Sequence, residues 1–361
     1  FADTADSNTL AGIAITSYTK DTAKGDWQYY DGSDWVSLDD IALADSAISI
    51  ASTSSLRFVP AANWNGAAPT LTAVLIDSSA TVTTGSTVDV STRGGSTAYS
   101  SSTVTLSHTV TAVNDAPTVT GDGTQTLTAI NEDAASISGS SVSALFGSML
   151  SDVTDAVTGG SVANSFAGVA IIGYTPSASK GDWQYSSDGG STWTAFGTST
   201  SLTESSARTL KSTDYVRFVP EANWNGSAPT LTVALIDSSA SVGTWSSVNV
   251  STRGGTTAYS SSTIVLSHTV TAVNDAPVAS GSSTLTAITE DTSNPTGSTV
   301  NDLFAGNFAD TADSNTLAGI AITSYTKDTS KGNWQYSSNG TSWTALDTIA
   351  SAGSAISLGS G

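Results

Sequence analysis

"STRGGSTAYSSSTVTLSHTVTAVNDAP" occupies residues 91–117, and "STRGGTTAYSSSTIVLSHTVTAVNDAP" occupies 251–277. The two stretches agree at 24 of 27 positions across an offset of 160 residues. Within the first, Val104, Leu106, Val110 and Ala112 share one parity, while Thr103, Thr105, Ser107, Thr109 and Thr111 take the other. Successive side chains of a strand point to opposite faces, so a period of two predicts strand with one buried face. The run closes on Asn-Asp-Ala-Pro: two oxygen-bearing side chains, then a proline that has no N–H to give a sheet ladder. Such a stretch reads as the last strand of one unit followed by the joint to the next.

The repetition extends outward from there. "RFVPAANWNGAAPTLTAVLIDSSA" (57–80) returns as "RFVPEANWNGSAPTLTVALIDSSA" (217–240). "FADTADSNTLAGIAITSYTKDTAKG" (1–25) returns at 308–332 with Ala23 exchanged for Ser330. "GDWQY" at 25–29 and 181–185 and "GNWQY" at 332–336 mark three copies of one element. Self-similarity at a fixed long period marks modules multiplied whole. The expected organisation is a first copy over 1–116 without its opening segment, a complete copy over 117–276, and a third over 277–361 without its second half. The chain is thereby expected to be a window from a longer array.

Each copy reads as all-β. "SLRFVP" turns Leu56 and Phe58 inward and Arg57 outward, and "YVRFVP" repeats the pattern with Val216, Phe218 and Arg217. "TLTAVLID" (70–77) is apolar on both parities near its end, as a central strand would be. Pro60 and Pro220 end their strands. Asn-Gly, Asp-Gly and Gly-Gly pairs punctuate the runs, and "GSSVSALFGSML" (139–150) is the one short helical candidate. Short strands separated by turn signals predict tandem antiparallel β-sandwiches of about 160 residues. "SSDGGSTW" (186–193) fits the turn motif called the Asp box, a hairpin device with no catalytic part. Degenerate counterparts are "YDGSDW" (30–35) and "SSNGTSW" (337–343).

Composition limits the function. Among 361 residues, 31 Asp and Glu face 11 Lys and Arg, a net charge of −20. That surface repels nucleic acid and anionic membranes and attracts cations; the same charge also keeps a Ser/Thr-rich chain soluble. With no cysteine, thiolate zinc sites, disulfides and thiol nucleophiles are excluded. No apolar run reaches 18 residues, so no membrane-inserted helix is expected, and no signal-peptide pattern opens the chain.

Few residues carry candidate chemistry. His108 and His268 are one repeat position and read as packed histidines rather than ligands. No nucleophile elbow, phosphate loop or dinucleotide fingerprint is present. Trp27, Trp64, Trp183, Trp224 and Trp334 sit in repeated strand or turn contexts and read as core. Trp245, aligned with Gly85, is the candidate exposed aromatic. The acidic residues gather where strands end. The order along the chain assigns Asp77, Asn114, Asp115, Glu132, Asp152 and Asp155 to the first junction. It assigns Asp237, Asn274, Asp275, Glu290, Asp310 and Asp313 to the second. Six to eight hard oxygen donors on loops suit Ca²⁺. Asp and Asn are also ordinary turn residues, so the recurrence in one order carries the calcium reading.

At these residues the sequence resembles a known family. "AVNDAP" is similar to the linker of cadherin-like modules. "NED" (131–133) and "TED" (289–291) resemble their glutamate motif, and "DVTD" and "DTAD" their later aspartate ligands. The whole pattern is similar to the VCBS-type repeats of giant bacterial surface adhesins. That resemblance implies sandwiches joined end to end, with Ca²⁺ stiffening the junctions. Asn114, Asp115, Asn274 and Asp275 would be linker ligands, and Glu132 and Glu290 would come from the following module. Asp152, Asp155, Asp310 and Asp313 would complete the sites, with Asp77 and Asp237 from the preceding one. Ala112-Val113 and Ala272-Val273 stand where the linker pattern has an aspartate, and its second asparagine is missing, which implies fewer ions or weaker binding. The expected function is a non-catalytic segment of an extracellular, cell-surface fibre. Its expected partners are neighbouring repeats of the same chain, laterally associated copies, or cell-surface glycans and other cells, with no nucleic acid and no membrane insertion in this segment. A glycan-binding module is the alternative, and a polysaccharide-active enzyme, which needs paired carboxylates in one cleft, ranks last.

Overall fold

Alternating apolar residues can be buried only if a second layer covers their face, and residues 117–276 build that layer from their own chain. The computed structural model describes residues 1–3, 6–197 and 200–360. It is all-β, with mostly antiparallel sheets stacked as sandwiches and a few short helical turns. In 117–276 the larger sheet has the order Thr124–Thr126, Ile264–Ser267, Leu231–Asp237, Phe166–Gly173, Ala207–Lys211, Ser246–Val248. The smaller has the order Ser140–Ser141, Tyr215–Pro220, Gly181–Ser186, Thr194–Ala195.

Between the sheets lie Val169, Ile171, Trp183, Leu210, Phe218, Val233, Leu235 and Leu266. Trp183 and Phe218 are direct cross-strand partners, with ring centroids 5.6 Å apart and edge-on. Trp183 Nε1 donates to the Pro229 carbonyl at 2.7 Å, so its one polar atom is satisfied in the core. The opposite parity, Ala170, Ile172, Ala234 and Ile236, packs under a loop carrying Val250 and Ala258. Both faces of the central strand are covered, which is why "LTVALID" is apolar on both. The short helix is Val142–Phe146, capped by Ser141 Oγ, which accepts from the Ala144 N–H at 3.1 Å. The Asp-box hairpin forms as its residues predict. Asp188 accepts from the Thr192 N–H and hydroxyl and from the Ser186 hydroxyl, which hold its carboxyl down at about 2. Trp193 lies under the Arg217 guanidinium at 4.2 Å.

One pairing departs from the antiparallel expectation. Thr124–Thr126 runs parallel to Ile264–Ser267, and Ile130–Asn131 runs parallel to Thr269–Thr271. A sandwich entered at one end and left at the other must run its first and last strands in the same direction. Residues 1–116 repeat the larger sheet as Thr87–Val88, Ala47–Ala51, Leu10–Ser17, Leu71–Asp77, Tyr99–Leu106, with no counterpart of Thr124–Thr126 among the described residues. In 277–361, Gly319–Ile322 pairs with Ile356–Gly359, and Gln335–Tyr336 with Thr344–Ala345. Every strand pairing described keeps to one side of Pro117 and of Pro277.

The expectation of one buried face is met in the second copy and not among the described residues of the first. In the second copy Leu266 and His268 are buried as their parity requires. In the first, Val104 is 51% exposed and Leu106 41%, and His108 is exposed too. Both histidines sit near the same aromatic pair, Trp183 and Phe218 or Trp27 and Phe58, but among the described residues only His268 has Leu127, the residue after the strand Thr124–Thr126, beside it. Burial holds the His268 imidazole below its ordinary range, opposed by the Leu127 carbonyl. The unfolded chain then takes up the proton more readily than the fold. This histidine's contribution is therefore complete above about pH 6.5 and is lost as pH falls below it. His268→Gln is expected to lessen the fall in stability between about pH 7 and pH 5 relative to the parent chain. Urea unfolding at the two pH values measures it; equal falls in both proteins would remove His268 as the cause.

Candidate metal centre at the repeat junctions

The first junction is built from the linker and three loops of the second copy. The linker is docked: the Ala116 N–H donates to the Gly255 carbonyl at 2.7 Å, and Asn114 Nδ2 to the Thr257 carbonyl at 3.1 Å. Asp155, in a single helical turn after the strand Leu150–Ser151, accepts the Asp115 N–H at 3.0 and 3.3 Å. Asn164 ties the group together. Its Nδ2 donates to Asn114 Oδ1 at 2.8 Å and Asp155 Oδ2 at 3.0 Å, and its N–H to Asp152 Oδ2 at 2.6 Å.

Three carboxylates are buried at this joint, and two of them, Asp155 and Asp237, act electrostatically on the third, Asp152. Asp152, Asp155 and Asp237 are 5%, 6% and 0% exposed. Among the described residues none of them forms an ion pair. Asp152 Oδ1 and Asp237 Oδ2 are buried without any hydrogen-bond partner. Burial pushes the Asp152 carboxyl above its ordinary range, and the charges of Asp155 and Asp237 add to this against the Asn164 N–H. Uncompensated buried charge is costly, so such oxygens call for a cation or a proton. Among the described residues no three His, Asp or Glu side chains stand close enough to make a finished cage. The remaining donors for Ca²⁺ would be amide oxygens, carbonyls and water, all of which it accepts.

The second junction repeats the frame. Asp313 Oδ2 accepts the Asp275 N–H at 2.5 Å, Asp310 Oδ1 accepts the Asp313 N–H at 3.1 Å, and Asn315 Nδ2 donates to Asn274 Oδ1 at 3.3 Å. Asp275 Oδ2 is left without a partner. Its carboxyl is pushed up, first by desolvation and then by Asp133, Asp313, Glu132 and Asp310. Glu132 is anchored here: Oε1 accepts the Val273 N–H at 2.7 Å and Oε2 accepts from Asn225 Nδ2 at 3.1 Å.

Two residues thus belong to the other joint from the one that chain order suggests. Asp237 ends a strand antiparallel to Phe166–Gly173, so it returns opposite Phe166 and lands beside Asn164 and Asp152, at the first junction. Glu132 follows a strand parallel to Thr269–Thr271, so it leaves with that strand at the second junction rather than the first. Asp77 lies at the far end of its copy, where it caps a turn by accepting from the Ser79 N–H and hydroxyl. Glu290 is exposed and is drawn into neither cluster.

Asn164 and Asn315 were not among the candidates. The recurrence of "SNTLAG" at 7–12 and 314–319 beside "NSFAG" at 164–168 was the signal that marks them. The first junction also has a strap. Residues 156–163 separate Asp155 from Asn164, where Ser314 alone separates Asp313 from Asn315. Ser161 in the strap accepts from Asn65 Nδ2 at 2.8 Å, and its N–H donates to Asn65 Oδ1 at 2.7 Å, bonding the second copy to the first. Gly160 is required there, since a Cβ on it would fall 2.3 Å from the Asn65 carbonyl oxygen.

Trp245 is no exposed platform. It stacks on Tyr185 with centroids 4.7 Å apart and meets Phe196 at 4.4 Å. Its φ of 53° matches the left-handed backbone of its counterpart Gly85, at 83°. Trp334, expected in the core, is 56% exposed, because no strand among the described residues covers it as Phe218 covers Trp183.

No family model matches the chain, and no curated protein does. Among solved structures the chain is similar to the CupB6 tip adhesin from Pseudomonas aeruginosa. The identity is 10% over 73% of this chain and 85% of that one, with a TM-score of 0.21. A likeness that distant carries no argument about this chain. No described helix is long and apolar enough to cross a membrane.

Proposed function

We propose that this chain is a non-catalytic, structural and adhesive segment of a long extracellular fibre, built of sandwich repeats over 1–116, 117–276 and 277–361, with Ca²⁺ held at the joints in a cadherin-like manner. The observation that carries the reading is the pair of buried, partnerless oxygens, Asp152 Oδ1 and Asp237 Oδ2, beside a linker already tied to Asp155. At the first joint Asp152, Asp155 and Asp237 would hold the ion, with Asn114 and Asp115 supplying linker oxygens. At the second, Asp275, Asp310, Asp313 and Glu132 would do so. The bound cation cancels repulsion among the carboxylates and locks the linker against the next sandwich. Millimolar extracellular calcium fills sites with dissociation constants of about 10⁻⁴–10⁻³ M.

Small-angle scattering of the whole chain, with calcium and then with excess EGTA, tests this. The expected result is a rod whose scattering shifts toward that of a flexible chain on chelation, with the larger change at the strapless second joint. Identical curves would show that calcium does not stiffen the joints.

A further inference from the structure

Asn164 ties the first joint, and the hydrogen bonds around it fix which way its amide points. Asn114 Nδ2 donates to the Thr257 carbonyl at 3.1 Å and to the Asp115 carbonyl at 3.0 Å, so Asn114 turns its acceptor, Oδ1, toward Asn164. Asp155 Oδ2 already accepts the Asp115 N–H and is an acceptor in turn. Asn164 therefore presents its donor: Nδ2 bridges Asn114 Oδ1 at 2.8 Å and Asp155 Oδ2 at 3.0 Å. Its own Oδ1 faces the Ser238 hydroxyl at 3.3 Å. Two oxygens of the candidate site thus converge on one amide nitrogen, whose hydrogens carry a partial positive charge. The same asparagine arrives by two routes. The strap 156–163 delivers Asn164, whereas the single residue Ser314, at a φ of 59°, delivers Asn315. Asn315 Nδ2 again donates to the linker oxygen, Asn274 Oδ1, at 3.3 Å. In the first copy Ser7, at a φ of 60°, precedes Asn8, and the Ser78 hydroxyl donates to Asn8 Oδ1 at 3.3 Å as that of Ser238 does to Asn164. Agreement across such different chain lengths ties the amide to the joint rather than to its own loop.

We propose that the Asn164 amide is a two-position switch: with Nδ2 inward it bridges linker and loop when calcium is withheld, and with Oδ1 inward it joins Asp152, Asp155 and Asp237 in holding the ion. The inference rests on the calcium reading above. A half-turn about the last side-chain bond exchanges the two ends of a carboxamide and breaks no covalent bond. Ser238 serves both positions, because a hydroxyl donates to Oδ1 in one and accepts from Nδ2 in the other. Charge requires the turn. An N–H aimed among the ligands repels a cation, whereas an amide oxygen is a donor that Ca²⁺ accepts. The buried oxygens Asp152 Oδ1 and Asp237 Oδ2 are untouched by the bridge and remain for the ion. Calcium must then compete with a neutral donor, which weakens its binding, and the same donor keeps the linker docked after chelation. The hold is lighter at the second joint, where Asn315 Nδ2 is bonded to Asn274 alone among the described residues.

Asn164→Asp separates a switch from a plain structural tie. A carboxylate cannot donate, so the variant loses the bridge and sets like charge beside Asp155. It needs no turn, however, and adds charge to the ligand set. The variant is expected to melt below the parent in EGTA, yet to bind calcium about tenfold more tightly at one joint, by isothermal titration of the whole chain. A tie with no part in holding the ion would leave binding unchanged or weaker. Asn315→Asp, at an exposed position of the second joint, is expected to behave alike and serves if the first variant fails to fold. In the parent, NMR of the chain labelled at asparagine nitrogen follows the side-chain NH₂ pair of Asn164, identified by its loss in the variant, or that of Asn315 likewise. Calcium is expected to shift that pair. If the parent binds calcium while neither variant binds it more tightly, or while the NH₂ pair stays unmoved, the switch is overturned and the calcium reading stands. A parent chain that binds no calcium overturns both.

Discussion

Asp152→Asn is expected to stabilise the protein in calcium-free buffer and to remove the part of the calcium stabilisation that comes from the first joint. The Asp152 carboxyl is pushed up by burial and by Asp155 and Asp237, so the fold binds its proton more readily than the unfolded chain does. An acid of that kind is harmless below its ordinary range, destabilises the fold increasingly as pH rises from there toward its raised folded value, and does so fully above it. The asparagine keeps an oxygen for the Asn164 N–H and turns the partnerless Oδ1 into an amide that donates toward the two remaining carboxylates. With calcium the order reverses. The first-joint site, with a dissociation constant of about 10⁻⁴–10⁻³ M at about 10 mM calcium, adds about 1.4–2.7 kcal/mol to the parent and next to nothing to the variant, while the second joint contributes equally to both. Urea unfolding of both proteins with calcium and with EGTA measures the crossing. A parent chain indifferent to calcium, or a variant that gains as much as the parent, would show that these oxygens hold no ion.

Trp183→Ala is expected to unfold the middle repeat, whereas Trp334→Ala, at the same repeat position, is expected to change little. Trp183 is fully buried, packs edge-on against Phe218 and lies 6.2 Å from the His268 ring. Truncation removes that packing and leaves a cavity, at about 3–5 kcal/mol. It also strips the Pro229 carbonyl of its donor, at about 1–3 kcal/mol more. A loss of that size is comparable with the whole stability of a small domain. Trp334 is 56% exposed, so its replacement is expected to stay within about 0.5 kcal/mol. Limited proteolysis with thermal melting distinguishes the two; similar losses would mean that Trp334 is buried in solution as Trp183 is.

Much was legible because it is local. A period of two, a proline after Asn-Asp, and turn residues such as Asp188 and Gly190 act over a few neighbouring residues, and repetition at an offset of 160 displays them twice. The strands, the sandwich class and the acidic joints all follow from that. The partners across the joints were not legible, because strand direction is a property of the sheet. Asp237 reaches Asp152 only because its strand returns antiparallel, and Glu132 reaches Val273 only because its strand runs parallel. Exposure of the aromatics depended on tertiary cover in the same way. Trp245 looked free and is stacked on Tyr185, while Trp334 looked buried and has no covering strand among the described residues. By itself the sequence determined which residues become strand, turn and joint. The tertiary structure alone decided which carboxylates share a joint and which apolar faces are covered, because both depend on the direction and presence of strands distant in the chain.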